Sequence, residues 1–259
     1  MRITFLGTGT STGVPVIACE CDVCRSSRLP GSKNRRLRVS ALLSWEDEEG
    51  AKNVIIDTGP DFRQQMVRYR VQRLDAVLYT HYHADHLHGL DDIRIFCFRK
   101  RGPMPVYAGD ETLKRIRVVY DYMFRKKTEG GAVASLDLNE INGKFELFGK
   151  TIEPIDVWHG STRVICYRIG DFAFCTDCSR LPPEAKERLT GLDTLVLGAL
   201  RPKPHSTHMS IEEATAAAQE LNPRQTYFVH MAHEVDHETV NATLPDGIQL
   251  AYDGLTLEL

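Results

Sequence analysis

Short apolar runs of strand length punctuate this chain, and most are followed by a stretch with helical spacing. Met1 to Gly7 opens as a strand, and Arg38 to Trp45 with Asn53 to Asp57 reads as a hairpin around the acidic turn Glu46 to Lys52. A helix is predicted from Pro60 to Arg70, then the strand Ala76-Val77-Leu78-Tyr79, the strand Pro105 to Ala108, and a helix from Glu111 to Met123 whose Leu113, Ile116, Val119 and Tyr120 share a face. The pattern then begins again. Phe145 to Trp158, Val164 to Ile169 and Asp171 to Thr176 are predicted strands, followed by a helix at Pro183 to Leu189 and the buried-type strand Thr194 to Leu197. Ser210-Ile211-Glu212-Glu213 is a capping box opening an alanine-rich helix to Leu221, and Gln225 to Val229 is a last strand. Two similar halves of this kind predict two sheets packed face to face with helices outside.

The polar residues that interrupt this pattern are concentrated at strand ends. Thr80-His81-Tyr82-His83-Ala84-Asp85-His86 follows an apolar strand and places four metal-type side chains within six residues. Imidazole and carboxylate together suit zinc, manganese or iron, and the spacing favours two ions over one. Clustering these groups without a cation would leave unpaired charge, at a cost of several kcal/mol in order of magnitude. His159, Asp177 and His230 each close a later predicted strand, so strand ends can bring them to one cleft edge.

A second constellation is Cys19-Glu20-Cys21-Asp22-Val23-Cys24, three thiols in a loop rich in turn residues. This is structural-zinc chemistry that lacks a fourth ligand, for which His233 is the candidate. The chain has seven cysteines, a count that favours reduced thiols or metal ligation over a disulfide framework. Cys97, Cys166, Cys175 and Cys178 lie in apolar runs and read as small core residues.

Composition adds bounds. The 259 residues are 42% hydrophobic and 26% charged with a net charge of −3, which fits one domain over 1–259 with a sizeable core. No apolar run approaches the ~18 residues of a membrane span, and the N-terminus reads as a strand rather than a signal peptide, so a cytoplasmic location and no membrane partner are expected.

The order H-x-H-x-D-H, then a distant His, Asp and His, resembles the metallo-β-lactamase-fold hydrolases over nearly the whole chain. The resemblance implies an α+β fold, a four-layer αββα sandwich, with His81, His83 and His159 on one ion, Asp85, His86 and His230 on the other, and Asp177 bridging. It implies that Asp57 supports the histidine loop without binding metal. Gly7 to Pro15, Cys19-x-Cys21-x-x-Cys24 and His230-Met231-Ala232-His233 narrow the likeness to the PhnP-type phosphodiesterases, which implies a structural zinc on Cys19, Cys21, Cys24 and His233, places His208 beside the active site, and implies a homodimer. The cofactors so implied are two divalent ions, manganese or zinc, and one structural zinc.

The expected activity is hydrolysis of a small, cyclic phosphodiester by water activated between two metals, with His208 and the ligand Asp85 as the catalytic candidates. His205 is expected to lie outside the chemistry. Arg35, Arg36 and Arg94 are weaker candidates for phosphate contacts, with a solvated face or an ion pair as the alternative. Rival readings share the metal motif. A lactonase shares only the metal motif, a thioesterase would leave the cysteine loop and His208 unexplained, and an intact ligand set argues against a non-catalytic binding protein. An RNA 3′-end endonuclease is the strongest rival, through Arg99-Lys100-Arg101 and Arg125 to Gly131, but the slightly acidic chain argues against a nucleic-acid partner.

Overall fold

Each predicted strand buries alternate side chains on its two faces, and the two faces go to different cores. In the computed structural model, which describes residues 1–125 and 133–259, the strands are β1 (Arg2–Gly7), β2 (Ser40–Asp47), β3 (Gly50–Ile56), β4 (Ala76–Leu78), β5 (Met104–Ala108), β6 (Leu136–Glu140), β7 (Phe145–Leu147), β8 (Lys150–His159), β9 (Thr162–Ile169), β10 (Phe172–Cys175), β11 (Thr194–Gly198), β12 (Gln225–Val229), β13 (Ile248–Leu250) and β14 (Thr256–Glu258). They form two seven-stranded sheets, in the orders β14-β1-β2-β3-β4-β5-β6 and β13-β12-β11-β10-β9-β8-β7. In β2, Ala41 and Leu43 face a core shared with Phe174, Val196 and Val229 of the other sheet, while Leu42 faces outward to helices. In β11 the same alternation sends Val196 inward and Leu195 and Leu197 outward.

The outer layers are helical. Phe62 and Met66 of α2 (Phe62–Arg68), Phe96 of α4 (Arg94–Lys100) and Leu113 and Ile116 of α5 (Asp110–Val119) cover the first sheet. Ala185 of α6 (Pro183–Arg188) and Ala214, Ala218 and Leu221 of α7 (Ile211–Leu221) cover the second. The expected αββα layering is therefore present, and α7 opens with the predicted capping box. Three short helices, α1 (Asp22–Ser26), α3 (Ala84–Leu87) and α8 (His237–Asn241), lie in the loops that carry the polar residues. Among the described residues no helix is long and apolar enough to cross a membrane.

Two expectations are corrected. The predicted strand Phe145 to Trp158 is a hairpin, because Phe148 and Gly149 both take positive φ and turn β7 onto β8. Cys166 and Cys175 are not free core thiols: the antiparallel register that pairs Tyr167 with Phe174 sets them opposite each other, and they form a disulfide with a Cα–Cα distance of 4.5 Å. Of the basic run Arg125 to Gly131, residues 126–131 lie outside the described residues.

The chain ends meet at the first sheet. Asp253, just before β14, accepts hydrogen bonds from Thr8 N and Oγ1, each 2.9 Å, and from Leu37 N at 2.8 Å. Thr8 O and Thr10 N in turn bond the backbone of Met231, so this carboxylate holds the loop that runs beside His230. An amide at 253 would turn an N–H toward either Leu37 N or Thr8. Asp253→Asn should therefore destabilise the fold by about 1–3 kcal/mol and lower Tm by roughly 2–4 °C per kcal/mol at this chain length; an unchanged Tm by calorimetry would contradict this.

Candidate metal centre

The cluster forms where strands of both sheets end at one edge. Asp57 follows β3, His81 lies just after β4, His159 closes β8, and Asp177 and His230 follow β10 and β12. Asp57, Asp177 and His230 all take left-handed backbone, with φ of 61°, 47° and 62°. Such a conformation costs roughly 1–3 kcal/mol per non-glycine residue, and here it turns each side chain out of its sheet toward a common cleft. The histidine loop is held by close backbone approach: Thr58 N bonds His86 O at 2.8 Å, and Gly59 is compelled because a Cβ there would lie 1.9 Å from Asp85 O.

All seven residues assigned to the ion pair converge. His81, His83 and His159 form one group whose potential ligand atoms lie within 4.8 Å of one another, and Asp85, His86, Asp177 and His230 form a second. Asp177 stands between them: its Oδ1 is 3.1 Å from His230 Nε2, and its Oδ2 is 3.2 Å from His86 Nε2 and 3.8 Å from His81 Nε2. A third group joins His208 to His159 and Asp177, so His208 sits at the mouth of the cluster. Its ring stacks on His230 at 4.8 Å between centroids and lies 4.3 Å from His159.

Hydrogen bonds outside the cluster fix which nitrogen of each imidazole faces in. His86 Nδ1 donates to Asp57 Oδ2 at 2.8 Å, and Asp57 is itself held by Thr80 N at 2.8 Å and Thr80 Oγ1 at 2.7 Å. His159 Nδ1 donates to Thr207 O at 2.6 Å. Both rings therefore present Nε2 as a lone pair to the cleft. Nothing in the sequence marks Thr80 and Thr207, since a threonine and a backbone carbonyl carry no metal signature.

The electrostatics fit cations. Burial alone would push the Asp177 and Asp85 carboxyls up, yet neighbouring His230 and His86 hold both well below the usual carboxylate range. Burial pushes His81 down, and His86 is raised, against burial, by Asp177, Asp85 and Asp57. His81 Nε2 and His86 Nε2 are buried with no hydrogen-bond partner although carboxylate oxygens lie close by. Imidazole nitrogens and carboxylates that converge with two of the nitrogens left unpartnered are the donor set of a divalent cation site.

The cysteine loop closes in the same way. His233 Nδ1 lies 3.3, 3.5 and 3.5 Å from the Sγ atoms of Cys19, Cys21 and Cys24. Tetrahedral zinc with Zn–S of about 2.3 Å and Zn–N of about 2.0 Å implies an N···S separation of about 3.5 Å. Cys24 N donates to Cys21 Sγ and Val16 N to Cys24 Sγ, both at 3.4 Å, which favours thiolates. The Cys24 N–H contact holds the Cys21 thiol down to about 7, while burial pushes that of Cys24 up to about 11.

The comparisons with known proteins agree with this geometry. Residues 52–231 match the family model described as a beta-lactamase superfamily domain. The crystal structure of a diphosphatase from the PhnP family superposes with a TM-score of 0.90 at 40% identity, over 100% of this chain and 97% of that one. This chain belongs to the PhnP family. It is thus a metal-dependent hydrolase of the metallo-β-lactamase fold. Zn(2+)-bound PqqB from Methylobacterium extorquens shares the fold at 22% identity and a TM-score of 0.78, over the whole of both chains. A Porphyromonas gingivalis protein named octanoyltransferase is 37% identical over 98% of this chain, which spans about half (51%) of that relative's length.

Within this PhnP-family site the arginine candidates do not gather. Arg36 is fully buried and donates to Ala232 O at 3.2 Å, between His230 and His233, so it braces the segment joining the two centres. Arg35 Nε bonds Ser27 O, and Arg94 pairs with Asp91 at 2.8 Å. His205 lies on the rim, 5.3 Å from the His208 ring.

Asp57→Ala should weaken metal retention in the His/Asp cluster by about 10–100-fold, measured as metal content after dialysis against graded chelator; retention equal to the parent would contradict the orienting role. Cys24→Ser should lose one zinc per chain and lower Tm, whereas full zinc content would remove the cysteine loop from metal binding.

Proposed function

We propose that this chain hydrolyses a small, cyclic phosphodiester, with one divalent ion on His81, His83 and His159, a second on Asp85, His86 and His230, Asp177 bridging, and a structural zinc on Cys19, Cys21, Cys24 and His233. The observation that carries this reading is the cleft itself: two adjoining donor sets with Asp177 between them, opening on His208. The 40% identity to a PhnP-family diphosphatase supports a phosphate ester or anhydride as substrate. Two divalent ions, when bound, supply charge neutralisation for the phosphate and a lowered pKa for water.

The residues of the chain do the rest. Asp57 and the Thr207 carbonyl hold His86 and His159 in the tautomer that faces the cleft. Asp177 and Asp85 supply the negative charge that keeps cations in place against a buried site. His208 stands beside the cleft as donor of a proton to the departing oxygen from its imidazole. Burial, with His230 and His159 close by, pushes His208 down to about 3 in the metal-free chain, below the neutral range expected of such a donor; a phosphate anion bound beside it acts in the opposite sense.

That role has a leaving-group signature. His208→Ala should lower kcat by about 10²–10⁴-fold for an alkyl leaving group, and far less for p-nitrophenolate, which departs without a proton. Equal losses on both would assign His208 to structure or binding.

A second reading, acyl or thioester hydrolysis, is favoured by one observation, the octanoyltransferase-named relative, although that name belongs to a protein about twice as long. The deciding experiment compares a 2′,3′-cyclic nucleotide, a linear diester and a thioester with manganese-loaded protein, using Asp85→Ala as the blank. Cyclic diester turnover that disappears in the variant is the expected result. Turnover of the thioester alone would overturn the phosphodiesterase reading and keep the metal site.

A further inference from the structure

The outer helical face of the first sheet carries a feature that hydrolysis does not use. Between α2 and α4 lies a groove of ≈ 500 Å³ whose floor is Phe62, Met66 and Phe96 and whose lip is Val67 and Ile95, these two 65% and 50% exposed. Arg63, Arg70, Arg94 and Arg99 stand around it, with Asp92 the one acid in its lining. The groove shares Gln72, Phe96 and Arg99 with a second hollow of ≈ 350 Å³ that adds Arg73, Lys100 and the acid Asp75, so the two make one continuous trough.

Its charge is not neutralised from within. Arg94 and Arg73 pair with Asp91 and Asp75, but among the described residues Arg63, Arg70, Arg99 and Lys100 have no carboxylate partner. The chain as a whole has a net charge of −3, yet residues 61–125 hold 12 Lys and Arg against 8 Asp and Glu. A cationic, apolar trough is therefore segregated onto one face of an acidic protein.

We propose that this trough docks an acidic amphipathic helix of a partner protein, its apolar stripe on Met66, Val67 and Ile95 and its carboxylates on the surrounding arginines. Guanidinium groups match carboxylates in bidentate geometry, and a helix laid in a groove is read through apolar residues spaced three and four apart. The trough's lip is aliphatic, and its two aromatic rings are buried to 1% and 6% exposure, which leaves no open ring for stacking of nucleic-acid bases. A concave surface is also a poor fit to a membrane plane.

The test uses intact, metal-loaded protein and a fluorescent peptide of about 16 residues, long enough to be helical on binding, with leucine at i, i+3, i+4 and i+7 and glutamate elsewhere. The control peptide has the same composition with leucines spread around the helix. The amphipathic peptide should bind at least roughly tenfold more tightly than the control and weaken as salt rises from about 50 to 300 mM. Arg63→Glu with Arg70→Glu, and separately Val67→Asp with Ile95→Asp, should each reduce binding by roughly tenfold or more, with metal content, Tm and hydrolysis unchanged, since all four side chains are exposed. Equal binding of the two peptides, or parent-like binding by the variants, would overturn the proposal. So would preferential binding of a single-stranded RNA or of anionic phospholipid vesicles at this face, lost in the Arg63/Arg70 variant.

Discussion

The carboxylate of Asp177, buried between the imidazoles of His81, His86 and His230, is the constraint around which the rest of the molecule is arranged. A buried charge is tolerable only where opposite charge meets it at short range. Here the compensation comes from residues at the ends of strands in both sheets, so the sandwich must close with those ends aligned to within an ångström or so. The apolar seam between the sheets provides that alignment: Ala41, Leu43 and Ile56 from one side pack with Tyr167, Phe174 and Val196 from the other. Three left-handed residues, Asp57, Asp177 and His230, then convert flat strand ends into inward-pointing side chains.

The two candidate metal centres are mechanically one unit. His230 and His233 are separated by Met231 and Ala232, and both of these are held from outside the segment, Met231 by the Thr8 to Thr10 backbone and Ala232 by Arg36. A zinc on the cysteine loop would thus fix one end of a four-residue span whose other end supplies a ligand to the cleft. Under the proposed zinc ligation, the cysteine loop would act on the cleft through this span and not by direct contact.

Much of this arrangement was legible in the sequence because its signals are local. The histidine loop and the three-cysteine loop announce themselves within six residues each, and His159, Asp177 and His230 fall at ends of runs whose period of two marks strands. What escaped depends on register and on packing across long sequence separations. The Cys166–Cys175 disulfide follows from the pairing of β9 with β10, which no single strand encodes. Arg36 lies in a basic run that reads as a solvated surface, yet its guanidinium is buried against a carbonyl 196 residues away. The hairpin at Phe148-Gly149 was hidden because a phenylalanine in left-handed backbone is rare. Thr80 acts through a hydroxyl and an amide of a kind common at strand ends.

In the proposed arrangement, Asp177 joins two cations in one cleft. Electron paramagnetic resonance of the protein titrated with manganese tests it most directly, because bridged ions couple magnetically and separate ions do not. A spin-coupled dinuclear spectrum is expected once both positions of the His/Asp cluster are filled, and its loss in Asp177→Asn. An uncoupled mononuclear signal that saturates at a single equivalent in the parent protein would contradict it.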